Sequence, residues 1–138
     1  MLRFIFLILS LHSFDLLAAD SVWLLVDTDA LKIEVKQGEK TVDTIEGIAI
    51  GQSGAGQKTH RGDNITPRGE YHIAWVGEKS TFHRFFGLDY PSVKDADHAL
   101  RKGLIDKYTY SDIINAHLFN EVTPQHTALG GRIGIHGL

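Results

Sequence analysis

The chain has 138 residues, 43% of them apolar and 22% charged, which suits one folded domain rather than two, and a packed core rather than a disordered segment. Lys plus Arg is 14 and Asp plus Glu is 17, a formal net charge of −3, so no basic excess points to nucleic acid or an anionic membrane surface. Cysteine is absent, which excludes a disulfide framework, a thiolate metal site and a cysteine nucleophile within these residues.

Residues 1–19 read as an export signal. Arg3 precedes an apolar run from Phe4 to Leu11, and the small residues Ala18 and Ala19 put cleavage before Asp20. The run is too short to cross a bilayer, which takes about 20 apolar residues, and no later stretch is long enough for a stable membrane span. The expectation is an exported, periplasmic protein of the cell envelope, with one domain over residues 20–138.

The mature part opens with strand signals. Residues 22–26 are β-rich, and Leu31, Ile33 and Val35 alternate with Lys32, Glu34 and Lys36 before a turn at Gly38. Residues 41–50 read as a third strand, which makes an antiparallel meander. Residues 51–64 read as a polar, glycine-rich surface or cleft loop, and 66–69 as a turn. A strand is expected at 70–76, carrying Tyr71, Ile73 and Trp75. The aromatic stretch 82–90 is ambiguous. A helix is expected over 92–102, with Val93, Ala96, Ala99 and Leu100 on one face and Gly103 ending it. A second helix is expected over 111–119, capped by the pair Thr109 and Asp112. Residues 123–131 read as loop, and 132–136 as a buried strand ending in His136. The fold class is α+β, predominantly β.

Several segments invite a chemical reading. Residues 51–59 nearly spell a phosphate loop, but Gln57 separates Gly56 from Lys58 and no helical pattern follows, so no nucleotide is expected. Eight histidines suggest a metal, yet no pair has the four-residue spacing of a helical zinc site. His60 and Asp63 lie close enough to share an ion from one loop, with no third ligand in view, so no metal or other cofactor is expected. The sequon at Asn64 and the Arg61-Gly62-Asp63 triplet carry no functional assignment. Trp75, Phe82, Phe85 and Tyr90 read first as core packing, with an aromatic groove for glycan as the alternative. His136, at a strand end before Gly137, suits either a general base facing a cleft or a core histidine held by backbone.

Thr66-Pro67-Arg68-Gly69-Glu70-Tyr71, the stretch from Phe82 to Pro91, and Gly130-Gly131-Arg132-Ile133-Gly134-Ile135-His136-Gly137 occur in an order that resembles the L,D-transpeptidase catalytic domain, the YkuD family, and within it the YafK/ErfK-like periplasmic subgroup. The resemblance spans residues 22–138. It implies a YkuD-like β-sandwich or mixed sheet with short helices. It also implies acyl transfer on peptidoglycan stem peptides for cell-wall cross-linking or remodelling, through a cysteine thioester and without a cofactor. His136 aligns with the family's proton donor/acceptor, and Gly137 with a place where substrate nears the backbone. The family's Ser/Thr-x-Gly-Cys motif follows its His-Gly, and these residues stop before it. The resemblance therefore implies a domain incomplete at its C-terminus and inactive without its nucleophile. The alternatives are a YafK-type peptidoglycan amidase or hydrolase, with water as acceptor, and a non-catalytic peptidoglycan-binding module.

Overall fold

The computed structural model describes residues 20–80 and 83–137. The expected export signal, Phe82 and Leu138 lie outside the described residues. The chain is mixed α and β, mostly strands, with two helices and three small sheets.

The first sheet is the expected meander. Strands β1 (Val22–Asp27), β2 (Lys32–Gln37) and β3 (Lys40–Glu46) pair antiparallel in the order β1-β2-β3. Asp27 shapes the first turn, its Oδ1 accepting from the backbone N–H groups of Asp29 and Ala30. The second turn uses Gly38 at φ +56°, a conformation that costs glycine little. The third strand stops at Glu46 rather than Ile50, because Gly47 at φ +71° turns the chain out of the ladder.

Beyond it, β4 (Ala55–Gly56) and β5 (Thr66–Pro67) form a two-residue parallel pair that closes the loop over 51–64. Strand β6 (Ile73–Ser80) starts three residues later than the strand expected at 70–76. Just before it, the Tyr71 hydroxyl donates to Asp95 of the first helix at 3.0 Å, which ties this stretch to that helix. Strand β7 (His83–Leu88) resolves the ambiguous aromatic stretch, pairing with β6 on one side and β8 (Gly134–His136) on the other. Strand β8 is shorter than expected and only half-buried, since Arg132 at φ +54° turns the chain just before it.

The helices carry the core. Helix α1 (Val93–Arg101) is capped by Ser92 in a reciprocal box: Asp95 N–H donates to Ser92 Oγ, and Ser92 N–H to Asp95 Oδ2. Ala96 and Ala99 are buried as expected, whereas Val93 faces solvent. Its C-terminus is a Schellman turn, with Gly103 N–H on Leu100 O and Leu104 N–H on Ala99 O. Helix α2 (Lys107–Leu118) begins four residues before the expected start. Asp106, not Thr109, is its cap: the Asp106 carboxylate accepts from Thr109 N–H at 2.8 Å. Ile105 and Tyr110 flank that cap in the positions of a hydrophobic staple and share one core cluster. The cluster comprises Tyr90, Ala96, Ala99, Ile105, Ile113 and Leu129. It sits between the helices and the loops that lead into β8.

Candidate functional site

The route from sequence to site runs through the third sheet. In the β7–β8 register Phe85 faces His136, and their rings stack at 5.8 Å with 16° between planes. Phe85 stacks in turn on Trp75 at 4.9 Å. A row of three rings thus crosses the sheet. Gly87 makes room for it: a Cβ there would lie 2.0 Å from Trp75 Cε2. The Trp75 indole N–H is buried with no acceptor, an arrangement that costs about 1–3 kcal/mol when water is shut out.

His136 is exposed, not buried, so the core-histidine reading fails. Its Nδ1 lies 2.8 Å from the Gly137 carbonyl. A carbonyl only accepts, so this contact requires the hydrogen on Nδ1. Gly137 adjoins the ring through this carbonyl and is itself exposed. The expected placement at a strand end is therefore observed, but a cavity lies elsewhere.

That cavity, about 310 Å³, opens between residues 58–62 and 125–133. Lys58, Arg61, His126, Gly130, Gly131 and Arg132 line it, while His136 and Gly137 do not. The glycine-rich loop beside it is tied down rather than loose. Ser53 N–H donates to Asn64 O, Thr66 N–H to Gly54 O, and Arg61 N–H to Ala128 O. Asp63 anchors the turn. It pairs with Lys58 and accepts from the N–H groups of Thr59, His60 and Ile65. Burial would raise its carboxyl pKa, but Lys58 and the three amides outweigh that and hold it well below the usual carboxylate range.

The same turn shows what His60 and Asp63 are engaged in. Asp63 is committed to Lys58 and the loop backbone, and His60 contributes its backbone N–H to that turn rather than a ring nitrogen. No group of three or more His, Asp or Glu side chains suited to a metal occurs among the described residues. The phosphate-loop option fails on geometry, since Lys58 leads through a turn to β5 rather than into a helix. The described aromatics are engaged in packing. Tyr90 is 0% exposed in the helical core, with its hydroxyl on Leu129 O, and Trp75 and Phe85 stack on each other.

Two polar networks fix these parts. Asp95 accepts from Ser92, Tyr71 and Gln57, and so joins α1 to the chain before β6 and to the glycine-rich loop. Burial first, and the Asp95 charge second, push the Tyr71 and Tyr90 hydroxyls above the usual phenol range, so both stay neutral. Gln125 Nε2 donates to Tyr90 O and Thr123 O, and its Oε1 accepts from Arg132 N–H at 2.6 Å. The cationic cavity was not anticipated from the sequence. Its signal was there in Lys58 and Arg61 on one loop and Arg132 beside two glycines on another, but no periodicity joins segments so far apart. Among the described residues no helix is long and apolar enough to cross a membrane. Comparisons with protein-family models, curated proteins and solved structures return no match.

Proposed function

We propose that this chain is the histidine-bearing portion of an L,D-transpeptidase-type domain of YkuD-like fold, exported to the periplasm and acting on peptidoglycan stem peptides. The observation that supports this best is His136. It is an exposed imidazole at the end of β8, with Nδ1 tied to the Gly137 carbonyl and its face against Phe85. The ring orientation is thus set by its backbone partner and by Phe85, which is what a proton shuttle to a thiol requires.

In this reading a cysteine thiol from outside these residues supplies the nucleophile. His136 Nε2 takes the thiol proton, and the thiolate adds to the amide carbonyl of the stem peptide. The C–N bond breaks, and the leaving D-Ala amine takes the proton back from the imidazolium. An acceptor amine then attacks the thioester, gives its proton to His136, and releases the thiolate. With water as acceptor the same residues perform hydrolysis.

The test begins with the source DNA beyond codon 138. A Ser/Thr-x-Gly-Cys motif in some frame within the next few dozen codons is expected, and its absence sinks the enzyme assignment. The protein extended through that motif, incubated with tetrapeptide muropeptides, should give cross-linked dimers, or cleaved products alone if water is the acceptor. H136Q should abolish either.

A further inference from the structure

The geometry points to a second site, in which the cavity between residues 58–62 and 125–133 binds the carboxylate of a small organic acid, such as an acylated amino acid or a short peptide's C-terminus. It is separate from the His136 ring and does not rest on the acyl-transfer reading. The first ground is charge. Lys58, Arg61 and Arg132 line the cavity, and no Asp or Glu does. The nearby carboxylate, Asp63, is paired with Lys58 and saturated by three backbone amides, so it neutralises Lys58 and nothing more. Among the described residues neither arginine has a carboxylate partner. Two guanidinium charges are thus left uncompensated at one cavity, in a chain whose formal net charge is −3.

The second ground is shape. A Cβ on Gly131 would lie 2.2 Å from Gln125 O, and Gly130 holds φ +93° with its Cβ direction 3.3 Å from Lys58 Cε. The chain packs too closely there for either position to carry a side chain, so the stretch of wall at Gly130 and Gly131 is main chain. Ile133 adds an apolar surface beside the two cations. About 310 Å³ is the low end of small-molecule sites and has room for an anion with a few attached carbons. A planar guanidinium meets a carboxylate through two parallel hydrogen bonds, and the apolar wall suits the carbons better than a fully hydrated inorganic anion.

The third ground is preorganisation. Arg61 Nη2 donates to Thr127 O at 3.2 Å, a neutral partner that orients the side chain without cancelling its charge. Arg132 occupies φ +54°, where a non-glycine residue carries a conformational penalty of about 1 kcal/mol. Its N–H is locked to Gln125 Oε1 at 2.6 Å. A charged side chain kept at a position glycine would fill more cheaply directs attention to what that charge does.

The experiment is a titration of the full chain, labelled with ¹⁵N, with sodium N-acetyl-L-alaninate, the neutral N-acetyl-L-alaninamide and inorganic phosphate. The carboxylate should shift the Gly62, Gly130 and Gly131 amides saturably and lose affinity as salt is added. The amide should cause no saturable shift, and phosphate should bind more weakly. R132Q should weaken carboxylate binding about ten-fold, the loss expected for one charged hydrogen-bonding partner. R132G, which relieves the backbone while removing the charge, should weaken it similarly, and K40Q on β3 should leave it unchanged. Equal binding of the amide, tighter binding of phosphate, or wild-type affinity in both R132Q and R132G would each overturn the assignment.

Discussion

The two ends of this molecule are built from equally regular elements but held by different forces. In the helical half, Tyr90 and Ile113 are 0% exposed, and Ala96, Ala99 and Leu129 close around them. In the β1–β3 meander only Ile33 is buried, while Val22, Leu25, Val42 and Ile45 stand 43–69% exposed. The meander is held by its ladder and by cross-strand side chains. Lys36 bonds both Glu34 and Thr41 and sits 5.9 Å over Trp23, whose indole N–H donates to Gly38 O. Regular strand pairing is therefore no guide to where the stabilising burial lies. Apolar alternation identifies a strand, but burial needs a second layer, and here the helices and their loops supply it.

The most severe test of that contrast is to delete the same side chain on each side of it. Ile113→Ala should cost about 2–5 kcal/mol, from lost transfer energy and the cavity left behind. Ile45→Ala, at a half-exposed position, should cost under about 1 kcal/mol. Urea unfolding of both variants decides it, and equal losses would mean that the meander is as well buried as the helices. Gly87→Ala comes next, at about 1–3 kcal/mol, because the added methyl must displace Trp75 from a sheet with no slack. The meander glycines offer no equivalent: a Cβ on Gly47 meets nothing within 4 Å. Loss of the near-ultraviolet signal from Trp75 in G87A would locate the damage.

Acid separates the halves more gently. Asp63 and Glu34 are both carboxylates held down by lysine, but Asp63 is buried under backbone amides, whereas Glu34 is half-buried and bonded first to Lys32, then to Lys36, with no backbone amide on it. Asp63 has a folded-state pKa below its unfolded value of 3.8. Its stabilisation is complete well above that value and is lost as pH falls from there toward the folded-state value, because the unfolded chain binds the extra proton first. D63N should flatten the acid limb of a stability–pH profile measured by urea midpoint. E34Q should barely alter it, and less so at high salt. An unchanged acid limb in D63N would assign the acid sensitivity elsewhere.

How legible these features were depended on whether their cause is local. The meander, the α1 span and its Gly103 terminus follow from alternation, a capping serine and a left-handed glycine, all contained in a few consecutive residues. The α2 start was misplaced because Thr109 and Asp112 have the spacing of a capping box, whereas Asp106 makes the bond. The bond from Tyr71 to Asp95 spans 24 positions, and periodicity has no access to such a contact. The site divided in the same way. His136 was found as a strand-terminal histidine, but its exposure follows from the turn at Arg132, a backbone conformation that residue identity does not announce. The cavity lining joins two segments far apart in the chain and became visible only once the fold had closed.

The smallest effect belongs to a direct link between the two halves. Arg68 Nη2 lies 2.9 Å from Asp29 Oδ1 and also reaches Thr28 Oγ1, joining the turn after β5 to the loop between β1 and β2. Both charged side chains are largely exposed, at 56% and 86%, so water and salt screen the pair and ordering two mobile side chains offsets much of the attraction. R68Q should therefore change global stability by at most about 1 kcal/mol. If the pair positions the meander against the rest, the effect will appear locally: amide exchange should rise in β1 and β2 of R68Q at low salt while α1 and α2 stay protected. Added salt should bring the wild type to the same exchange pattern. Equal exchange in the two proteins at low salt would mean that the meander is positioned by its backbone connections alone.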